Sequence, residues 1–328
     1  MAGTERDTYI KNTGNNIGNG LLLYHHHFSF YSQKVLMALY EKKLPFQSHA
    51  MNLAKGEQYQ PWYLQLNPKA EVPVLKDGVK VIPESARIID YLEDNFSNGV
   101  SPSLKATDLG AEVRQKVAQY RAALEHIPAG IITMGSFLHP EYIHNPRLPF
   151  IQPIRRLLLA AEKSSSAALR EQAGRSAEAR EVLLRKADSQ DSKLSALEDR
   201  EEFQKVLDHA DTVLTAVERE LADASADAAD RWLCCERFTV ADINLTLILD
   251  RLDRLGLAGY FWEGGKKPHV SQYYRRARKR ESYRKAVPST LFSLQTLLSR
   301  QAPEFIGLGV AGAVSVVALG ILLYSKLK

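Results

Sequence analysis

The apolar positions of this chain trace two kinds of period. Residues 21–24, LLLY, read as a short apolar strand, and in the following SFYSQKVLMALYEKKL the spacing of Val35, Leu36 and Leu39 is helical. Pro45 to His49 predicts a second strand. The stretch LNPKAEVPVLKDGVKVIPESARIIDYLEDNF then predicts a strand, a hairpin turn at Asp77-Gly78, another strand and a helix. The order is β, α, β, then β, β, α.

Beyond residue 98 the pattern becomes helical throughout. Residues 107–127 form an amphipathic helix, and residues 198–223 another, with Phe203, Val206, Leu207, Leu214, Val217 and Leu221 on one face. Thr239 followed by Asp242 is a capping box ahead of a hydrophobic helix, a folding signal rather than a catalytic one. Between these helices, about residues 163–195, lies mainly charged helical sequence with Leu169, Val182, Leu183 and Leu184 as sparse apolar positions. That composition predicts a protruding helical insertion, and hence a surface for a protein partner or for homodimerisation. A solvated spacer is the alternative.

Residues 305–324, FIGLGVAGAVSVVALGILLY, carry no charge. At about 1.5 Å per residue they match a hydrocarbon core of roughly 30 Å. Only Ser325, Lys326, Leu327 and Lys328 follow, so residues 303–328 read as a transmembrane tail anchor in contact with membrane lipid, the bulk of the chain staying in the cytosol. Glycines dilute the span and the tail is basic, which suits the mitochondrial outer membrane, or peroxisomes, better than thicker membranes. Lys328 follows the Ser-Lys-Leu triplet, so the peroxisomal address is not formed. Residues 287–302 form an amphipathic linker, with Leu291, Leu294 and Leu298 on one face. Residues 1–20 are a polar tail lacking signal- or transit-peptide features.

Charge and cysteine content narrow the function. A formal charge of +5 without zinc-finger spacing or RNA-binding aromatic motifs argues against nucleic acid as a partner. The adjacent Cys234 and Cys235 are poorly placed for a structural disulfide and point to a reducing compartment. His25, His26 and His27 alternate faces if they continue a strand, which argues against a metal site.

The element order of residues 21–98 resembles a thioredoxin-like glutathione-binding domain, and residues 99–286 resemble the helical second domain of the glutathione transferases. The carrying segments are LLLYHHHFSFYSQKV, LNPKAEVPVL, PESARIIDYLEDNF and WLCCERFTVADINLTL. With the helical insertion and the terminal anchor, the chain resembles the ganglioside-induced differentiation-associated protein family over about residues 20–328. The resemblance implies a cis Val72-Pro73 bond, with Val72 pairing with the cysteinyl backbone of glutathione. It implies that Glu84 and Ser85 receive the γ-glutamyl group at a helix N-terminus, beside which helix capping is a compatible role for Ser85. The activating hydroxyl falls by position on Ser29, with Tyr31 and Ser32 as alternates and helix capping as the competing role. The family is associated with mitochondrial shape, fission and redox balance.

Three functions follow as expectations. The first is a membrane-tethered adaptor in mitochondrial dynamics that retains glutathione binding with little turnover. The second is a working transferase joining glutathione to a hydrophobic electrophile. The third is a lipid-surface protein using Arg275, Arg276, Arg278, Lys279, Arg280, Arg284 and Lys285, for which a solvated helix face is the plainer reading.

Overall fold

The computed structural model describes residues 20–97, 101–225 and 231–301. Its first domain is a four-stranded sheet of β1 (Leu21–His25), β2 (Phe46–Ala50), β3 (Val74–Asp77) and β4 (Lys80–Pro83) in the order β2-β1-β3-β4. β1 and β2 are parallel, and β3 and β4 run antiparallel to their neighbours. The helices α1 (Phe30–Glu41), α2 (Pro61–Leu66) and α3 (Ser85–Phe96) complete the domain. Gly78, at a φ of 56°, turns the β3–β4 hairpin where Asp77-Gly78 predicts it.

The period-two pattern sorts the strand residues between two layers. Leu21, Leu23, Leu75 and Ile82 pack with Val35, Leu36 and Leu39 of α1 and Ile88, Ile89 and Leu92 of α3. On the other face Val74, Met51 and Tyr63 form a smaller cluster under α2. The fold is thus thioredoxin-like.

The second domain is all helical: α4 (Ala111–Glu125), α5 (Ala129–Leu138), α6 (Gln152–Arg175), α7 (Arg180–Glu198), α8 (Arg200–Ser225), α9 (Val240–Leu255), α10 (Ala258–Phe261), α11 (Pro268–Ala277), α12 (Glu281–Ala286) and α13 (Thr290–Gln301). α9 lies at its centre, nearly every residue buried. The predicted capping box is formed at its start. Asp242 accepts from the Thr239 N–H at 2.8 Å, the Thr239 hydroxyl at 2.7 Å, the Leu233 N–H at 2.9 Å and the Tyr273 hydroxyl at 2.9 Å. Four donors on one carboxylate make its burial tolerable.

The insertion does not protrude as its charge content predicts. It forms the antiparallel pair α6 and α7, and its tip folds back onto the first domain, where Ala173, Ala179, Val182 and Leu183 pack with Ala70, Tyr59 and Leu64. Its outer face remains polar, with Arg170 bound to Asp188 and Asp191 at 2.8 Å each.

The basic run at 275–285 is likewise only partly a free surface. Arg276 covers the Trp232 ring at 3.6 Å, Arg280 pairs with Glu41 at 2.7 Å, and Arg278 lies over Tyr274. Arg275, Lys279 and Arg284 are exposed. The expected anchor at residues 303–328, its lipid contact at 305–324 and nearly all of the polar N-terminal tail lie outside the described residues. Among those described, no helix is long and apolar enough to cross a membrane.

Candidate functional site

Strand register places the predicted site residues on neighbouring loops. Tyr24 of β1 pairs with Val74 of β3, and Val74 with Pro83 of β4. The turn after β1, the segment before β3 and the turn after β4 therefore emerge at one end of the sheet. They carry Ser29, Val72-Pro73 and Glu84-Ser85 respectively.

Ser29 is the N-cap of α1. Its backbone is extended, and its Oγ accepts the Ser32 N–H at 3.2 Å. Capping and catalysis are not exclusive here, because a hydroxyl that accepts one bond still has its own proton to donate. Ser32 is fully buried, and its Oγ accepts the His26 N–H at 3.3 Å, so it locks the turn rather than facing a ligand. Tyr31 is half exposed. Burial raises its hydroxyl pKa, Glu71 and Glu84 add to the rise, and Arg251 opposes it.

The Val72-Pro73 peptide is cis, as the resemblance implies. The loop before it is held by the Tyr63 hydroxyl and the Asn67 amide, which donate to the Glu71 carbonyl at 2.7 and 2.9 Å. Glu84 sits at φ 71°, a conformation that non-glycine residues rarely adopt and that concentrates at functional sites. It supplies no side-chain cap to α3, which leaves the helix's first N–H groups available to an anion beside the buried Ser85. Lys69 pairs with the Glu84 carboxylate at 2.6 Å.

The folded-back insertion completes a cavity of about 750 Å³ next to this edge. Lys69, Glu71 and Tyr59 form its first-domain wall, and Leu169, Val182 and Lys186 belong to the insertion wall. Lys186 reaches Glu71 at 3.2 Å. The sequence reading missed this cavity, and it missed Arg251, whose charge within the apolar run of α9 was the available signal.

Residues 23–100 match the family model "Glutathione S-transferase, N-terminal domain", and residues 185–276 match "Glutathione S-transferase, C-terminal domain". The human ganglioside-induced differentiation-associated protein 1-like 1 is 31% identical over 301 residues, 88% of this chain and 81% of that protein. The chain belongs to the ganglioside-induced differentiation-associated protein family, within the glutathione S-transferase fold. A plant relative of this family member, glutathione S-transferase TCHQD of Arabidopsis thaliana, is 26% identical over 81% of this chain and 88% of that protein. Among solved structures, the beta-etherase LigF from Sphingobium superposes with a TM-score of 0.62 at 22% identity, covering 81% of this chain and 98% of that one. Ure2p in complex with glutathione gives 0.56 at 18% identity, covering 83% and 100%. The family member described here thus has the transferase fold in both domains.

Proposed function

We propose that this protein binds glutathione at the sheet end defined by Ser29, Val72-Pro73 and Glu84-Ser85, and acts as a membrane-tethered, transferase-like component of mitochondrial dynamics and redox balance with little or no conjugation. The observation that carries the binding reading is the convergence of three loops at one sheet end, with a cis peptide before β3 and an uncapped helix after Glu84. A solved neighbour with the same fold, Ure2p, is described in complex with glutathione, which supports the choice of ligand. The cellular role rests on the family relationship, and the tether on the uncharged run 305–324, which would hold the chain at the mitochondrial outer membrane or at peroxisomes. The outer face of α6 and α7 is the proposed surface for a protein partner or a second copy.

A working transferase is the second reading. It is favoured by the proton that the Ser29 hydroxyl has to donate and by the cavity bordered by Lys69 and Glu71, which offers space for an electrophile. Calorimetric titration of the detergent-solubilised chain with glutathione tests the shared premise. Saturable binding supports it, and no binding up to about ten millimolar, weaker than about 3 kcal/mol, rejects it.

A further inference from the structure

Arg251 lies in the C-terminal part of α9, at the seam where the second domain meets the β1–α1 turn. Its Nη2 donates to the Phe28 carbonyl at 3.1 Å, one peptide before Ser29, and its Nη1 lies 3.4 Å from the Thr133 hydroxyl of α5. The guanidinium is flanked by the rings of Phe30 at 5.8 Å and Phe150 at 5.2 Å. Among the described residues no carboxylate comes within 4 Å of it. Its sequence neighbour Asp250 is engaged elsewhere, by Arg254, Tyr274 and Tyr283. A half-buried cation with two aromatic walls and no ion-paired carboxylate, supported only by the field of an Asp250 that Arg254 already binds, is costly to keep, which makes its placement informative.

We propose that Arg251 is a positioning residue whose charge, held against the Phe28 carbonyl, stabilises a thiolate at the Ser29 hydroxyl. This rests on the glutathione reading of the site. The step is an ionisation only: the S–H bond breaks, its electron pair stays on sulfur, and the proton passes to solvent. The Ser29 O–H and the N-terminus of α1 supply the local partners, and Arg251 supplies the full charge that neither of them carries.

Other charged groups surround the turn. On α1, Lys34 is buried beside the Phe30 and Tyr31 rings, and burial pulls its ammonium down to about 8. Arg121 and Glu125 of α4 face Lys34 with opposing effects. Glu71 and Glu84, from the adjoining loops, act on Tyr31 against an anion there. His26 and His27 lie in the turn itself. Burial lowers the Arg251 pKa to about 10, against an opposing pull from Asp250 that Arg254 partly offsets, which leaves it charged at neutral pH.

The test reads the field without needing glutathione. Ser29→Cys places a thiol at the position, and its alkylation rate against pH gives its pKa. Cys234 and Cys235 are buried with thiols raised by burial, so their background reaction is slow. The introduced thiol should ionise below the ordinary value of about 8.5. Adding Arg251→Gln should raise its pKa by about one unit, a tenfold loss of thiolate, while Arg251→Lys should recover most of the shift. Thermal melts identify any variant that fails to fold, and the Lys variant then carries the comparison. An unchanged pKa with Gln, or a Lys variant that behaves like Gln, overturns the proposal. Failure of the glutathione titration with an intact Arg251 effect would reject the ligand and not the field.

Discussion

Lys186 Nζ lies 3.2 Å from Glu71 Oε1, so an insertion residue holds the residue immediately before the cis Val72-Pro73 bond. The two are 115 positions apart in sequence. The insertion thereby borders the segment expected to meet the glutathione backbone.

That contact is accompanied by a small apolar cluster whose centre is Leu183, fully buried against Ala70 and Ala179. Leu183→Ala should cost about 2 to 5 kcal/mol locally. Hydrogen exchange should quicken in 59–71 and 173–187 together, with the α9 core unchanged. Faster exchange in the insertion alone would mean the first domain gains nothing from it.

Ser85 and Ser29 should separate binding from activation. Ser85→Ala should weaken glutathione binding by about 1 to 3 kcal/mol, the range for a hydrogen bond to a charged group. Ser29→Ala should leave affinity largely intact while raising the bound thiol pKa and slowing any conjugation. Calorimetry and thiolate absorbance against pH measure the two effects, and equal losses of affinity would sink the division of roles.

His25 carries a pH dependence. It is 3% exposed, and burial, followed by His27, His26 and His49, lowers its pKa from 6.5 to about 3. The unfolded chain therefore takes up this proton first as pH falls. Stability contributed by neutral His25 is fully present above pH 6.5 and declines between 6.5 and about 3, by at most about 1.4 kcal/mol per unit. Denaturant melts between pH 4.5 and 6.5 should show this slope, and His25→Asn should flatten it; an equal slope in the variant assigns the dependence elsewhere.

Deleting residues 303–328 should release the protein into the cytosol in folded form, and replacing Lys326 and Lys328 with neutral residues should move part of it to the endoplasmic reticulum. Imaging against both organelles decides each. Continued membrane attachment after deletion would point to α13, where Leu291 is exposed and Phe292 packs on the His27 ring at 5.0 Å.

Features encoded by near neighbours were legible in the sequence. The Asp77-Gly78 turn, the Thr239 and Asp242 box and the short apolar strand from Leu21 to Tyr24 each need only a few residues to specify, and each forms where expected. Ser29, Val72, Pro73, Glu84 and Ser85, which the family resemblance implied from the order of elements along the chain, also fall on one sheet end. The docking of the insertion was not. Beside the sparse Val182 and Leu183, its contacts are made by alanines, Ala70, Ala173 and Ala179, which bury little area and leave no continuous amphipathic stripe. Helix ends shifted as well: the helix expected at 107–127 runs from Ala111 to Glu125. Arg251 meets Phe28 across 223 positions, a distance over which periodicity carries no information.

Glu41 closes the far end of α1 against the second domain. Arg280 clasps its carboxylate with two bonds of 2.7 Å, and Ser282 adds a third donor. With α1 also packed on α9 and α12, neither domain exposes a small surface by leaving the other. The pair should melt as one cooperative unit in calorimetry. A ligand held only by first-domain loops would then raise the melting temperature of the whole chain, making heat capacity a gauge of occupancy that needs no turnover.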